Sequence, residues 1–194
     1  MTSQFRRLCL AAAGALMLGA CTPSIPQPGE TETEAATEAA PTAEPVPLDS
    51  FELSGLAELG YEVNPGVASE NLVQWQSPGC QVQALVAPSV GTGDDAADSV
   101  ASFDLLGPEF QDLREDGWVQ LPLATGGTLR MPVRTGVFEL EGAAVPVNIA
   151  ARAVGEVQTL FVITHTCAED APHPTSLADV IQRIVLTGVL NPDA

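Results

Sequence analysis

The chain has 194 residues, of which 25 are acidic and 7 are basic, for a formal net charge of −18, and every basic residue is an arginine. This acidity excludes a nucleic-acid binder driven by charge, because phosphate binding needs a basic surface. It also disfavours direct docking of the folded part onto anionic lipid. No run of about 18 apolar residues follows the N-terminus, so the sequence predicts no internal membrane span.

Residues 1–20 have the parts of a secretory signal peptide. Arg6-Arg7 form a basic start, and residues 8–18 form an apolar segment within the usual range of about 7–15 residues. The stretch Leu18–Cys21 then reads Leu-Gly-Ala-Cys and resembles the lipobox of bacterial lipoproteins. The resemblance implies that diacylglycerol is attached to the Cys21 sulfur and that the chain is cut before this residue. The mature protein would then be held by its lipid on the extracytoplasmic face of the cell membrane. The arginine pair leaves the general secretion route and the twin-arginine route both open.

Residues 21–47, which begin with the acylated Cys21, form a low-complexity spacer. The spacer is rich in proline and glutamate, and it has no aromatic residue and no basic residue. Such a composition cannot bury enough apolar surface to offset chain entropy, so it predicts disorder. A flexible chain of about 26 residues spans roughly 30 Å. We expect the spacer to hold the folded part away from the bilayer.

Residues 48–194 are patterned and predict a single domain. Strands are predicted at residues 72–76, 80–87, 118–123, 128–140, 144–154 and 157–166, and helices at 94–106 and 176–188. The last four strands are joined by tight Gly-containing links, which favour an antiparallel meander. The second helix begins with a Ser176–Asp179 capping box, and Asp179 can pair with Arg183 four residues later.

Together these elements predict an α+β fold in which an antiparallel sheet of about six strands packs against two helices. The element order over roughly residues 60–190 is similar to the PsbP-like fold, which is named for an extrinsic photosystem subunit and found in small bacterial lipoproteins. Known members of that fold are mostly non-catalytic, so the resemblance implies a binding or assembly role.

Two cysteines remain in the mature domain once Cys9 is removed and Cys21 is acylated. Cys80 and Cys167 would lie in an oxidising compartment, which favours a structural disulfide. The pair closes a loop of about 87 residues, worth roughly 4–5 kcal/mol in lost chain entropy. It predicts that the start of the second strand lies beside the end of the last one. A reactive thiol is the alternative, but basic neighbours that would lower its pKa are missing.

Both histidines of the chain fall in one short segment together with two acids. His165, Glu169, Asp170 and His173 suggest a metal site with an open position for water. The spacing matches no established metal motif, and His165 alternates with Ile163 and Phe161, which places it on an apolar face. The sequence therefore predicts no resident metal or other cofactor and keeps these four residues as candidates.

The leading hypothesis is a non-catalytic binding or scaffolding module with an envelope protein or a small ligand as its partner. No G-x-S-x-G nucleophile elbow, H-E-x-x-H or S-x-x-K motif occurs. The aromatic residues Tyr61, Trp75 and Trp118 could line a ligand groove, but with so few aromatics in the chain we expect them in the core. Two alternatives stay open: a metal-dependent envelope enzyme that uses His165 and His173, and a carrier of a small molecule or lipid with a pocket between sheet and helices.

Overall fold

The computed structural model describes residues 51–89, 92–107, 110–140 and 143–187. The expected signal peptide, Cys21, the spacer and the helix end at Gly188 lie outside the described residues. The strands are β1 (Phe51–Glu52), β2 (Glu62–Val63), β3 (Leu72–Ser77), β4 (Cys80–Pro88), β5 (Phe110–Pro122), β6 (Thr128–Leu140), β7 (Ala143–Val154), β8 (Thr159–Cys167) and β9 (Val185–Leu186). The helices are α1 (Asp95–Ala101) and α2 (Leu177–Ile181), with short 3-10 helices at Ser54–Leu59, Ser102–Leu105 and Gly155–Val157.

Seven strands form one antiparallel sheet in the order β2-β3-β4-β8-β7-β6-β5, and β1 pairs separately with β9. Strands β5 to β8 are neighbours in succession, so the predicted meander is confirmed. The pairing of β4 with β8 joins the β3–β4 hairpin to the meander. The predicted combination of an antiparallel sheet with two helices is confirmed, with seven strands in the described sheet.

Each face of the sheet carries its own core, because side chains alternate between the two faces along a strand. The large core lies under β1, β9 and α2, and its strand residues include Val82, Ala84, Leu129, Met131, Phe161 and Ile163. The small core lies on the opposite face under the 3-10 helix that continues α1, and it contains Phe103, Phe138, Val147, Ile149, Ala151 and Val162. The two helices therefore cover opposite faces of one sheet.

Strand β5 begins at Phe110, well before the predicted start at Trp118. Its register against β6 shifts twice within residues 111–118. Asp112 and Gly117 adopt positive φ angles of 53° and 78°. Such irregularities interrupt the alternation of side chains between the two faces. This interruption explains why the first half of β5 shows no strand pattern in the sequence.

Helix α1 is capped by Asp94, whose carboxylate accepts hydrogen bonds from two backbone N–H groups of the first turn. The predicted helix over 94–106 is α-helical only to Ala101 and continues as a 3-10 helix. Ala96, Val100, Phe103 and Leu106 have the spacing of an apolar stripe on one face of a helix, but Val100 is exposed, whereas Phe103 is buried.

A serine takes the place of an apolar residue at the contact between α1 and the sheet. The Ser99 side chain is fully buried, and its hydroxyl accepts a hydrogen bond of 2.8 Å from the Ala153 N–H of β7. The same hydroxyl donates to the Asp95 carbonyl. At the end of β7, the Gly155 N–H donates to the Asp95 carboxylate at 2.8 Å. Polar contacts to β7 therefore fix the helix where the sequence suggested apolar packing.

Helix α2 is much shorter than the predicted helix over 176–188. It ends at Ile181, and Val185–Leu186 instead form β9 against β1. The predicted capping box is confirmed, because the Ser176 hydroxyl accepts from the Asp179 N–H and the Asp179 carboxylate accepts from the Ser176 N–H. The expected Asp179–Arg183 pair is wrong: Arg183 lies beyond the helix end and pairs with Glu58.

Candidate functional site

The two cysteines of the domain lie opposite each other at one end of the sheet. Cys80 is the first residue of β4 and Cys167 the last residue of β8, and the two are direct partners in the antiparallel register. Their Cα atoms are 4.1 Å apart and their sulfurs 2.05 Å apart, and 87 residues separate them in the sequence. The predicted proximity of these two strand ends is therefore confirmed.

His165 lies beside the two cysteines on the large-core face, and only 2% of its surface is exposed. Its Nε2 atom is 3.3 Å from the Cys167 sulfur, 3.1 Å from the Thr175 hydroxyl and 3.3 Å from the Tyr61 hydroxyl. The two hydroxyls are 2.6 Å from each other. Tyr61, Cys80, His165, Cys167 and Thr175 together form what we call the histidine–disulfide cluster. It joins the segment before β2 to one end of the β4–β8 pair and to the loop before α2.

Burial keeps the ionisable groups of this cluster neutral at physiological pH. It lowers the pKa of His165 to about 4, and the carboxylate of Asp179 opposes this shift only in part. Burial also raises the pKa of Tyr61, against the effect of hydrogen bonds with Thr175 and Ser77. The His165 Nδ1 atom is buried and has no hydrogen-bond partner among the described residues. The Thr175–His165 pair thus lacks the third group that orients the base in a hydrolytic triad.

The metal site suggested by the sequence is not assembled. Glu169, Asp170 and His173 are exposed on the loop after β8, whereas His165 is buried in the large core. Of the His, Cys, Asp and Glu side chains in the described part of the chain, only those of Cys80, His165 and Cys167 bring three ligand atoms within 4.8 Å of one another. The two histidines are kept apart because His165 takes the inward position of an alternating strand.

An exposed aromatic residue lies on the small-core face of β5. Trp118 is 50% exposed, and the guanidinium of Arg130 is 4.3 Å from the centre of its ring. Further along β6, the guanidinium of Arg134 lies 4.8 Å from the ring centre of Phe103 and 3.7 Å from the carboxylate of Asp104. We call Trp118, Arg130 and Arg134 the arginine–tryptophan surface. The expectation that Trp118 belongs to the core is therefore wrong, whereas Tyr61 is buried as expected.

Most arginines of the domain lie on the two strands that form this surface. Of the seven arginines, five follow residue 48, and β5 and β6 carry three of them, including Arg114. The large-core residues Leu129, Met131 and Val133 alternate with Arg130 and Arg134, so both arginines face the other side of the sheet. Three of the five arginines of the domain thus lie on two neighbouring strands, which also carry the acids Asp112, Glu115, Asp116 and Glu139.

A shallow depression of about 300 Å³ lies on the other flank of α1. It is lined by Pro88, Ser89, Asp98, Ala101, Ser102, Leu105 and Leu160. Leu105 stands at its rim with 65% of its surface exposed. The volume lies at the small end of the range of about 300–1,000 Å³ that is usual for ligand pockets.

Comparison with known proteins identifies no relative. A scan against models of known protein families found no match, and a search of curated proteins found no similar sequence. Within the described residues, every helix is too short or too polar to cross a bilayer.

Proposed function

We propose that this protein is a lipid-anchored, extracytoplasmic binding module that engages an envelope protein through the arginine–tryptophan surface. The exposed Trp118 under the Arg130 guanidinium carries the proposal. Tryptophan and arginine are the residues most enriched at the energetic centres of protein interfaces, where each can contribute 2 kcal/mol or more. The lipobox-like Leu18–Cys21 stretch and the acidic spacer support the anchored location.

The chemistry of the surface indicates the chemistry of its partner. Trp118 offers a large, half-exposed apolar ring, and the guanidinium of Arg134, whose side chain is 20% exposed, offers planar donors that suit carboxylates. Arg134 already contacts Asp104, and a partner carboxylate would bind alongside this pair. The partner patch should therefore combine an apolar pocket with acidic residues at its rim. Attraction between such patches fixes orientation and raises the association rate more than the affinity.

The anchor is tested by replacing Cys21 with alanine in a bacterial host that processes lipoproteins. The wild-type chain should fractionate with membranes and carry the mass of a diacylglyceryl group, whereas Cys21→Ala should not be lipidated. An unmodified Cys21 in a wild-type chain that keeps Met1 would refute the anchor.

The surface is tested by photo-crosslinking in intact cells. A photoreactive residue at exposed Gln120, which pairs with Arg130 across β5 and β6, should yield one discrete crosslinked partner. Trp118→Ala should abolish that product while the domain stays folded, at a cost of about 1–2 kcal/mol from the lost Arg130 contact and the half-buried ring. The matched control is Val63→Ala, which removes a side chain 45% exposed on β2, at the opposite edge of the sheet. Equal yields from wild type and Trp118→Ala would refute this surface.

A carrier of a small apolar molecule is the second candidate, because the depression beside Leu105 is mainly apolar. Native mass spectrometry of the purified protein tests it. A co-purified metabolite that is lost in Leu105→Ser, but kept in Trp118→Ala, would favour the carrier over the interface.

A further inference from the structure

We infer that reduction of the Cys80–Cys167 bond turns the histidine–disulfide cluster into a zinc site with two sulfur ligands and one nitrogen ligand. The Cys80 sulfur, the Cys167 sulfur and a ring nitrogen of His165 already lie within 4.8 Å of one another. Two thiolates and one imidazole are a common set of protein ligands for zinc, with the fourth position left to water or another group. This inference is independent of the proposed interface, which lies on the opposite face of the sheet.

The distances in the cluster fit tetrahedral zinc after a small rearrangement. With Zn–S bonds of about 2.3 Å and Zn–N bonds of about 2.05 Å, a tetrahedral site separates sulfur from nitrogen by about 3.6 Å. The Cys167 sulfur and His165 Nε2 are 3.3 Å apart, so this pair is close to the required spacing. The same geometry separates the two sulfurs by about 3.8 Å. Once the S–S bond is broken, rotation of the two cysteine side chains provides that separation.

The groups around the cluster favour binding of a zinc ion. Paired strands fix both cysteine backbones, with Cα atoms 4.1 Å apart. The Tyr61 and Thr175 hydroxyls lie 3.3 and 3.1 Å from Nε2, which is about the 3.3 Å expected between a nitrogen ligand and a fourth, oxygen ligand. One of these hydroxyl oxygens would therefore stand in the fourth position, unless a water molecule displaces it. Cys167 is partly exposed, whereas Cys80 is buried, so a reductant would approach the bond from the side of Cys167.

The chemical steps balance with a dithiol reductant as the co-reactant. The dithiol transfers two electrons and two protons to the S–S bond, which breaks to give two thiols, and the reductant becomes a cyclic disulfide. Zn²⁺ then replaces the two thiol protons, which pass to solvent, and two Zn–S bonds form. Nε2 donates its lone pair without further redox change. The oxidised protein has no thiolates to offer and should bind no zinc at this place.

The test uses the full chain with Cys9→Ser and Cys21→Ser, so that Cys80 and Cys167 are the only cysteines. Reduced protein, freed of reductant under anaerobic conditions, is titrated with Co²⁺ and then with Zn²⁺. We expect one equivalent of Co²⁺ to bind, with the absorption of a tetrahedral thiolate complex, and Zn²⁺ to displace it. Oxidised protein should show neither signal.

Two variants and one folding measurement make the result decisive. His165→Phe should lower the affinity of the reduced protein for Zn²⁺ at least about tenfold. His173→Gln, which changes the exposed histidine, should bind as tightly as the parent. Circular dichroism is followed in parallel, because loss of the disulfide destabilises the fold. If the reduced protein unfolds and Zn²⁺ restores its spectrum, the site is supported. The inference is overturned if Zn²⁺ fails to bind, or if His165→Phe binds as well as the parent.

Discussion

Acidification should destabilise the oxidised protein through His165, a group that the fold holds neutral. Its pKa is lowered from 6.5 to about 4 in the folded protein, mainly because burial penalises the charged ring. At a pH between these two pKa values, the histidine is protonated in the unfolded chain but neutral in the folded protein. The unfolded state therefore gains stability as the pH falls from 6.5 towards 4, and the contribution of neutral His165 is fully present only above that window.

The size of the effect follows from the difference between the two pKa values. The free energy of unfolding should fall by about 2 kcal/mol on going from pH 7 to pH 5, and by about 3 kcal/mol at pH 4, from this group alone. The Asp179 carboxylate offsets part of the burial effect and is already included in the lowered pKa. These losses are a large fraction of the 5–15 kcal/mol that is typical of the total stability of a domain.

Urea unfolding at several pH values measures this contribution when wild type is compared with His165→Gln. Glutamine cannot titrate, so the variant keeps the contribution of the carboxylates and loses only that of the histidine. The two stability curves should converge as the pH falls from 6.5 to 4. His173→Gln is the matched control and should follow the wild-type curve, because this side chain is exposed in the folded protein. Parallel curves for wild type and His165→Gln would refute the reasoning.

Three further predictions concern stability and are checked by the same unfolding assay at neutral pH. The double variant Cys80→Ala/Cys167→Ala should lose about 4–5 kcal/mol, because it releases a loop of 87 residues in the unfolded state, and a loss below about 1 kcal/mol would contradict this. Ser176→Ala should cost about 1 kcal/mol through loss of the capping box of α2, and an unchanged unfolding midpoint would show that the cap contributes nothing. Gly79→Ala should lower the free energy of unfolding more than Gly93→Ala. Both glycines have positive φ, but only at Gly79 would the new methyl group meet a neighbour, at 2.8 Å from the Ala171 Cβ atom. Equal losses of stability in the two variants would contradict the steric argument.

The parts of the fold that were predictable are those whose pattern is local. The alternation in Cys80–Pro88 and the tight links between the later strands depend on neighbouring residues, and both predictions are confirmed. The error at Val185–Leu186 has the opposite cause. These residues continue the apolar spacing of a helix, but their partner is Phe51–Glu52, more than a hundred residues earlier in the chain. No local pattern reveals a partner that distant.

The candidate site was predictable only in part for the same reason. The proximity of Cys80 and Cys167 followed from elimination, because no other cysteine remained in the expected mature domain. The contacts of His165 with Tyr61 and Thr175 bring together residues 104 and 10 positions away, on segments with no chemical motif. The alternation of His165 with Phe161 and Ile163 was the available signal, and it correctly indicated an inward position on an apolar face.

The exposure of Trp118 has a physical cause in the unequal lengths of the elements. Helix α1 has 7 residues and spans about 10 Å, whereas β5 and β6 have 13 residues each and span roughly 40 Å. The helix is bound to β7 through Ser99, and so most of its contacts with the sheet are with that strand. The 3-10 helix that follows α1 reaches β6 only at Arg134 and Phe138, so the small-core face near Trp118 lacks a covering helix among the described elements, and the aliphatic part of Arg130 shields it only in part.

This asymmetry is consistent with the proposed anchor. The described domain begins with β1 on the large-core face, where the Phe51 ring packs edge-on against Phe161 at 5.4 Å. Trp118 lies on the other face of the sheet, so a tether that joins the domain at β1 leaves this residue on the side away from the point of attachment. A partner could then approach the arginine–tryptophan surface without displacing the tether. The short α1 helix leaves this surface open, and β1, at which the proposed tether would join the domain, lies on the other face of the sheet.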